Sequence, residues 1–313
     1  MSPQTLILLY TRIDNYERKE YPIPMETKVV KMTEKEIREL KWKYRQCTLK
    51  EDVAHAHFQI KGSDFTITAY KSGKVVFQAK NMAVHFPDEI KTKKEAIDTN
   101  TQAMTGSDEV GTGDYFGPIT VCAVYIEKGD EERIPVDKLR DTKELNDDII
   151  LEVAPILIKE LKHSLLILNN EKYNEVQKTN NLNAIKAKLH NQAFVHLNRK
   201  YGLPKVNIID QFTPKDLYYR YLKDEPEVID TLIFETKAEN KFLAVACAAI
   251  IARYAFLKTL ESMDKHYDFI FPKGSGKHVD IRGIDFVKKF GEKELRKVAK
   301  LHFKNTERIL QNI

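Results

Sequence analysis

The residues most able to do chemistry lie in one short run, Gly106-Ser107-Asp108-Glu109-Val110-Gly111-Thr112-Gly113-Asp114. It sets two adjacent carboxylates, Asp108 and Glu109, before a glycine-broken turn, and the apolar run Ile119 to Ile126 follows. Side chains alternate along a strand, so regular geometry sends the two acids to opposite faces. A twist or bulge at Gly111 and Gly113 can bring both towards one point. Burying two like charges side by side is costly without a cation. The stretch therefore reads either as a divalent-metal site or as a solvated surface turn, the usual fate of acidic residues.

Other acids stand where they can join it. Asp210 ends the short apolar run Lys205 to Asp210. The C-terminal end of such a strand is where α/β folds place ligands; the competing role is to open the turn at Thr213-Pro214. Glu239, with Glu235 as its rival, precedes the alanine-rich run Phe242 to Leu260. A helix dipole there favours an ionised carboxylate, and either acid can serve simply to stabilise the helix start. Lys273-Gly274-Ser275-Gly276-Lys277 is a basic glycine loop without the spacing of a phosphate-binding P-loop. It suits a phosphodiester, or is a plain mobile loop.

Two sets of elements must position these groups. In residues 1–84, Leu6 to Tyr10 reads as a strand, and Pro22 and Pro24 mark an irregular connection. Thr33 (or Met32) can cap a helix from Glu34 to about Gln46, with Ile37, Leu40 and Tyr44 at helical spacing. The period then changes to two through Phe58 and Ile60, and again through Phe65, Ile67 and Ala69; Ser72-Gly73 turns the chain into Val75-Val76-Phe77. This is a small α+β unit, and Tyr70, Lys71 and Lys74 lie along its second hairpin as a nucleic-acid face or a solvated edge. Residues 85–104 read as a linker, and 105–313 as a second domain. There, strands alternate with helices: Ile119 to Ile126, Ser164 to Leu168, Lys205 to Asp210 and Asp230 to Phe234 are strands. Helices are expected from Asp147 as cap to Leu161 with a kink or break at Pro155, from Asn183 to Lys200, from Phe242 to Leu260, and once or twice within 284–312. The fold class is α/β, a mixed central sheet flanked by helices, preceded by the small α+β domain.

Composition sets the frame. The chain has 313 residues, 31% charged and 42% hydrophobic, as in soluble globular proteins. No apolar run is expected to span a membrane, and Thr5 to Tyr10 lacks the flanks of a signal peptide. Cys47, Cys122 and Cys247 are far apart and odd in number, which fits reduced thiols in a cytoplasmic protein. The net charge is +5, and the first third of the chain carries most of the excess, as in a polyanion-binding module beside a domain that needs its acids.

Asp108-Glu109-Val110-Gly111-Thr112-Gly113, Asp141-Thr142-Lys143, Ile208-Ile209-Asp210 and Lys237-Ala238-Glu239 before Ala246 to Arg253, in this order, resemble the type 2 ribonuclease H family. Thr68 to Gln78 resembles the leading domain of its bacterial ribonuclease HIII branch, a domain similar to the TATA-box-binding protein (TBP) fold. Thr112 agrees with that branch, since the HII branch usually has Arg there.

The resemblance implies a ribonuclease H-like catalytic domain that cleaves the RNA strand of RNA–DNA hybrids to 3′-hydroxyl and 5′-phosphate ends. Two divalent ions about 3.5–4 Å apart can activate water, neutralise the phosphate and stabilise the leaving oxygen. Mg²⁺, with Mn²⁺ as substitute, prefers the oxygen ligands that Asp108, Glu109 and Asp210 offer. Glu239 stands where HII relatives have Asp and is the implied fourth catalytic acid. Gly111, Thr112 and Gly113 are implied to approach a ribose 2′-hydroxyl, and Lys143 to contact phosphate or orient the acids. Tyr70, Lys71 and Lys74 are the expected substrate contacts of the leading domain. The late glycine loop lacks the junction-reading Tyr of the HII branch, which implies weak cleavage at a single embedded ribonucleotide. A monomer is expected, with no membrane or obligate protein partner. The alternatives are a DNA nuclease or strand-transfer enzyme of the same fold, and a non-catalytic hybrid binder; clustered negative charge gives a pure phosphate binder nothing.

Overall fold

The computed structural model describes residues 26–86, 102–140 and 146–313. The expected strand at Leu6 to Tyr10, most of the expected linker and the Asp141-Thr142-Lys143 element lie outside the described residues. The chain divides into two compact units, Met1–Lys94 and Glu95–Ile313.

The first unit runs β1 (Glu26–Lys31), α1 (Glu34–Lys43), β2 (Thr48–Lys50), β3 (Ala56–Lys61), β4 (Phe65–Tyr70), β5 (Lys74–Ala79) and α2 (Met82–His85). Thr33 caps α1 in a capping box with Glu36; the two side chains satisfy each other's backbone donors, which fixes the helix start. The strands form an antiparallel sheet in the order β1-β5-β4-β3-β2. Ile37 and Leu40 of α1 bury against Phe58, Ile60, Ile67, Ala69, Val75 and Phe77 on one sheet face. The period of two sends His57, Gln59, Lys61, Thr66, Thr68, Tyr70, Lys74, Val76 and Gln78 to the other face. The sequence reading lacks β1: its outer Val29 is 56% exposed, so the apolar alternation that marks a strand is weak there.

The second unit runs β6 (Met104–Val110), β7 (Ile119–Ile126), α3 (Val136–Arg140), α4 (Asp147–Glu160), β8 (Lys162–Leu168), α5 (Asn170–Val176), α6 (Leu182–Tyr201), β9 (Val206–Asp210), α7 (Lys215–Tyr221), β10 (Leu232–Glu235), α8 (Leu243–Tyr267), α9 (Lys277–Phe290), α10 (Leu295–Val298) and α11 (Lys304–Leu310). Its sheet has the order β10-β9-β6-β7-β8. β6, β9 and β10 run parallel, while β7 and β8 complete an antiparallel meander. Met104, Cys122, Val124 and Ile208 pack against α4 and α8 on one face. Val121, Ala123 and Ile209 pack against α6 and α7 on the other. A third cluster, with Tyr115, Phe116, Phe256 and Phe286, joins the start of the β6–β7 connection to the C-terminal helices.

Three local expectations are corrected. Asn146, not Asp147, caps α4, its side chain accepting from the Ile149 N–H. α4 does not break at Pro155 but runs on to Glu160; the carbonyl deprived of its donor belongs to Leu151, which is 37% exposed and open to water. Leu243–Tyr267 is long and apolar enough to cross a membrane by length and composition, contrary to the sequence reading, but 67% of its most apolar window is buried in the protein. It is a core helix, wrapped by the sheet and α4.

Candidate active site

Parallel pairing brings the acids to one edge of the sheet. β6 and β9 point the same way, in register from Met104↔Val206 to Ser107↔Ile209. Asp108 and Glu109 thus emerge beside Asp210, the last residue of β9. β10 aligns Glu235 with Asp210. The chain then turns through Lys237, at φ +53°, into a short 3-10 turn, Ala238–Asn240, that carries Glu239 to the start of α8. The Ala238 N–H donates to Asp210 Oδ1 at 2.9 Å, so the turn and the carboxylate orient one another.

The β6–β7 ladder is continuous from Met104↔Ile126 to Val110↔Thr120. No bulge therefore interrupts the stretch that carries the acids, and alternation decides where each acid goes. Asp108 shares the α8 side with Gly106, where an added Cβ would come 2.5 Å from the Val245 nitrogen. Its Oδ1 accepts from the Glu109 N–H at 2.7 Å. Burial, and then the charges of Glu109, Asp210 and Glu239, push the Asp108 carboxyl well above the usual range. Four carboxylates that repel in this way offer the all-oxygen donor set of a hard divalent cation. Among the described residues, no three acids, histidines or cysteines are already gathered tightly enough to clasp an ion. The residue types fit a hard divalent metal.

Glu109 points to the α6 side. Lys186 Nζ lies 2.7 Å from Oε1, and His190 Nε2 lies 2.8 Å from Oε2. The His190 Nδ1 meets Ser107 Oγ at 2.8 Å, on the same face two residues back. Burial alone raises the Glu109 carboxyl, but His190 and Lys186 outweigh it and bring it to about 2. Sequence reading missed both partners. Their signal is a Lys and a His one helical turn apart on the face of α6 that also carries buried Ala187, Phe194 and Leu197.

The two rival acids before α8 separate. Glu235 Oε1 accepts from Lys241 Nζ at 2.6 Å. Glu239 has its carboxyl raised, by burial first and also by the Asp210 charge. Glu239 thus feels the acid cluster, while Glu235 is held by its own lysine.

The glycine turn is anchored from a distance. Gly111 has φ +96° and Gly117 has φ +82°. Gly113 is exposed, Thr112 half-buried and Gly111 buried. Asp114, whose purpose the sequence leaves open, accepts from the Gly274 N–H at 2.6 Å, and Tyr115 N–H donates to the Gly274 carbonyl at 2.8 Å. The late glycine loop is thereby tied to the early one. Lys300 is fully buried, and its Nζ donates to the carbonyls of Asp114 (2.8 Å) and Gly117 (2.5 Å). Burial lowers its ammonium to about 7, with Asp114 pulling the other way. Asn170 Nδ2 adds a third donor, to the Gly117 carbonyl, at 2.9 Å. In the first unit, Tyr70 and Lys74 lie on the open sheet face and Lys71 in the turn that follows β4.

A sheet of this order, with carboxylates at the ends of its central parallel strands and ahead of the core helix, defines a nuclease unit of the type 2 ribonuclease H class. The Ribonuclease HII family pattern matches residues 105–306, and a domain of unknown function (DUF3378) matches residues 27–96. The Ribonuclease HIII of Bacillus subtilis (strain 168) is 41% identical over 306 residues, 91% of this chain and 97% of its own. That of Bacillus cereus (strain ATCC 14579) is 40% identical over 298 residues, 88% of this chain and 95% of its own. A crystal structure of Bst-RNase HIII in complex with Mn²⁺ superposes with a TM-score of 0.66 at 34% identity, over 92% of this chain and 99% of that one. The chain belongs to the ribonuclease HIII family, and it is a ribonuclease H enzyme.

Proposed function

We propose that this enzyme hydrolyses the RNA strand of RNA–DNA hybrids to 3′-hydroxyl and 5′-phosphate ends, acting as a monomer in the cytoplasm. The observation that carries this reading is the convergence of Asp108, Asp210 and Glu239 at one sheet edge, where their charges act on each other. Asp108, Glu109 and Asp210 would hold Mg²⁺, or Mn²⁺ in its place, with Glu239 as the fourth acid. When bound, the metal supplies an activated water and neutralises charge on the phosphate and the leaving oxygen.

The chain's own residues supply position. The Ala238 N–H fixes Asp210, and the Glu109 N–H fixes Asp108. Gly113 offers exposed backbone beside Thr112 and Gly111, where a ribose 2′-hydroxyl can approach, as RNA recognition by sugar and shape requires. Lys143 is assigned to contact phosphate or orient the acids. On the first unit, the polar open face with Tyr70 and Lys74, and Lys71 beside it, suits sequence-independent contacts to a duplex backbone. The lack of a Tyr in the late glycine loop supports a preference for runs of RNA over a single embedded ribonucleotide. Free Cys47 and the buried free Cys122 and Cys247 support a reducing compartment.

The test compares an RNA–DNA hybrid, an all-DNA duplex and a duplex with one ribonucleotide, each in Mg²⁺ and in Mn²⁺. Asp108→Asn and Asp210→Asn are expected to abolish hybrid cleavage while binding persists. Glu239→Gln is expected to cost at least about a hundredfold in kcat, the scale of a lost transition-state contact, and Glu235→Gln little. Rapid all-DNA cleavage, or near-wild-type turnover by Asp108→Asn, overturns the reading.

A further inference from the structure

Glu109 already has a cation. Lys186 is 7% exposed, its Nζ is 2.7 Å from Glu109 Oε1, and the same ammonium lies 3.9 Å from the centre of the Phe212 ring. His190, fully buried, holds Oε2 and stacks on Phe212 with ring centres 5.4 Å apart. Both carboxylate oxygens are therefore engaged on the α6 side, away from Asp108. The partners come from one helix, so they present a preformed clamp rather than two independent contacts. His190 is in turn fixed by Ser107, on the same strand as the acid it holds.

We propose that Lys186 is a tethered counter-cation of Glu109, which a divalent ion must displace from Oε1 to engage that carboxylate, so that Lys186 sets how much metal the site requires. The inference rests on the reading of Asp108, Glu109 and Asp210 as the metal site. Charge decides the sign. Lys186 stabilises the acids when metal is absent and, once metal enters, its like charge opposes the ion. His190 keeps the second oxygen in place, so the carboxylate is exchanged between cations without leaving the end of β6. Phe212, whose face the ammonium already meets, keeps a hold on it when Glu109 is taken by the ion, since an aromatic face stabilises a cation.

The experiment titrates Mn²⁺ into the full-length protein by calorimetry. Lys186→Met keeps the apolar stem over Phe212 and removes the charge; Lys186→Arg keeps the charge. Lys186→Met is expected to bind Mn²⁺ roughly tenfold more tightly, the scale of one like charge near a divalent ion in a partly wet site. Lys186→Arg is expected to stay within about twofold of wild type on the same argument. Lys186→Met should also melt lower than wild type without metal and recover on adding Mn²⁺. In the wild-type protein, reductive methylation of Lys186, followed by mass spectrometry, should rise when Mn²⁺ is added; this arm needs no variant to fold. Unchanged or weaker Mn²⁺ binding by folded Lys186→Met, or unchanged Lys186 labelling, overturns the proposal. Wild-type Mn²⁺ binding by both Asp108→Asn and Asp210→Asn overturns instead the metal-site reading beneath it.

Discussion

Two glycines of one turn should fail in different ways when given a methyl group. Gly111 has φ +96°, and an added Cβ would stand 2.2 Å from the Pro118 carbonyl oxygen and 3.1 Å from two ring atoms of Phe256. An L-residue in the left-handed region costs about 1–2 kcal/mol. Overpacking against backbone adds about 1–3 kcal/mol. Gly111→Ala is therefore expected to lose about 2–5 kcal/mol and, for a unit of this size, to melt roughly 5–15 °C lower. At Gly113 a methyl group would meet nothing within 4 Å, and the backbone there is not left-handed. Gly113→Ala should melt with wild type. If its exposed backbone meets the ribose, the added methyl group should hold the sugar off and weaken that hydrogen bond, raising KM on an RNA–DNA hybrid roughly three- to tenfold. Calorimetric melting of both variants, with steady-state cleavage of one hybrid, separates the two effects. Wild-type melting of Gly111→Ala would refute the packing argument. Wild-type KM with Gly113→Ala would refute its place at the substrate.

Lys300 gives a pH signature. Its ammonium is held at about 7 in the fold, against about 10.4 in an unfolded chain. Between those values the unfolded chain binds the proton that the folded one has released, so stability rises with pH across that window: the cost of burying the lysine is greatest and flat below about 7, shrinks as pH rises above it, and is gone above the unfolded value. Urea unfolding from pH 6 to 9 should show wild type gaining on Lys300→Met by up to about 1.4 kcal/mol per pH unit above 7; parallel curves would contradict this. On the first unit, Lys74→Gln should weaken hybrid binding at low salt and reduce the slope of log affinity against log salt by about one, the signature of one lost phosphate contact. An unchanged slope removes Lys74 from the interface.

What could be read from sequence follows from what each signal measures. Ile208-Ile209 and the run Ile119 to Ile126 announce strands because they are largely buried on both sides. The start of α1 was legible because Thr33 and Glu36 are local partners. α5 and α7 were not, each being seven residues long and too short to show a clear period. Asn146 displaced Asp147 as a cap because two adjacent residues have nearly equal capping strength, and only the backbone angles choose. In the site, the alternation rule already sent Asp108 and Glu109 apart; the glycines suggested a bulge, but both lie beyond the last pair of the ladder, Val110↔Thr120. Lys186 and His190 were invisible because their partner is 77 and 81 residues away in sequence.

The Lys300 anchor has a consequence for a chain still being made. Its Nζ meets carbonyls 186 and 183 residues earlier. At about 5–20 residues per second of synthesis, Asp114 and Gly117 exist for roughly 10–40 s before their partner does. Asp108 and Glu109 are on the growing chain throughout that interval; Asp210 and Glu239 follow 96 and 125 residues after Asp114, still ahead of Lys300. The Gly117 N–H likewise waits for the Val298 carbonyl, so this fastening of the turn beside the acids closes only once residues 298–300 have been added. The long reach of one lysine thus makes the β6–β7 connection one of the last parts of the second unit to be fully secured.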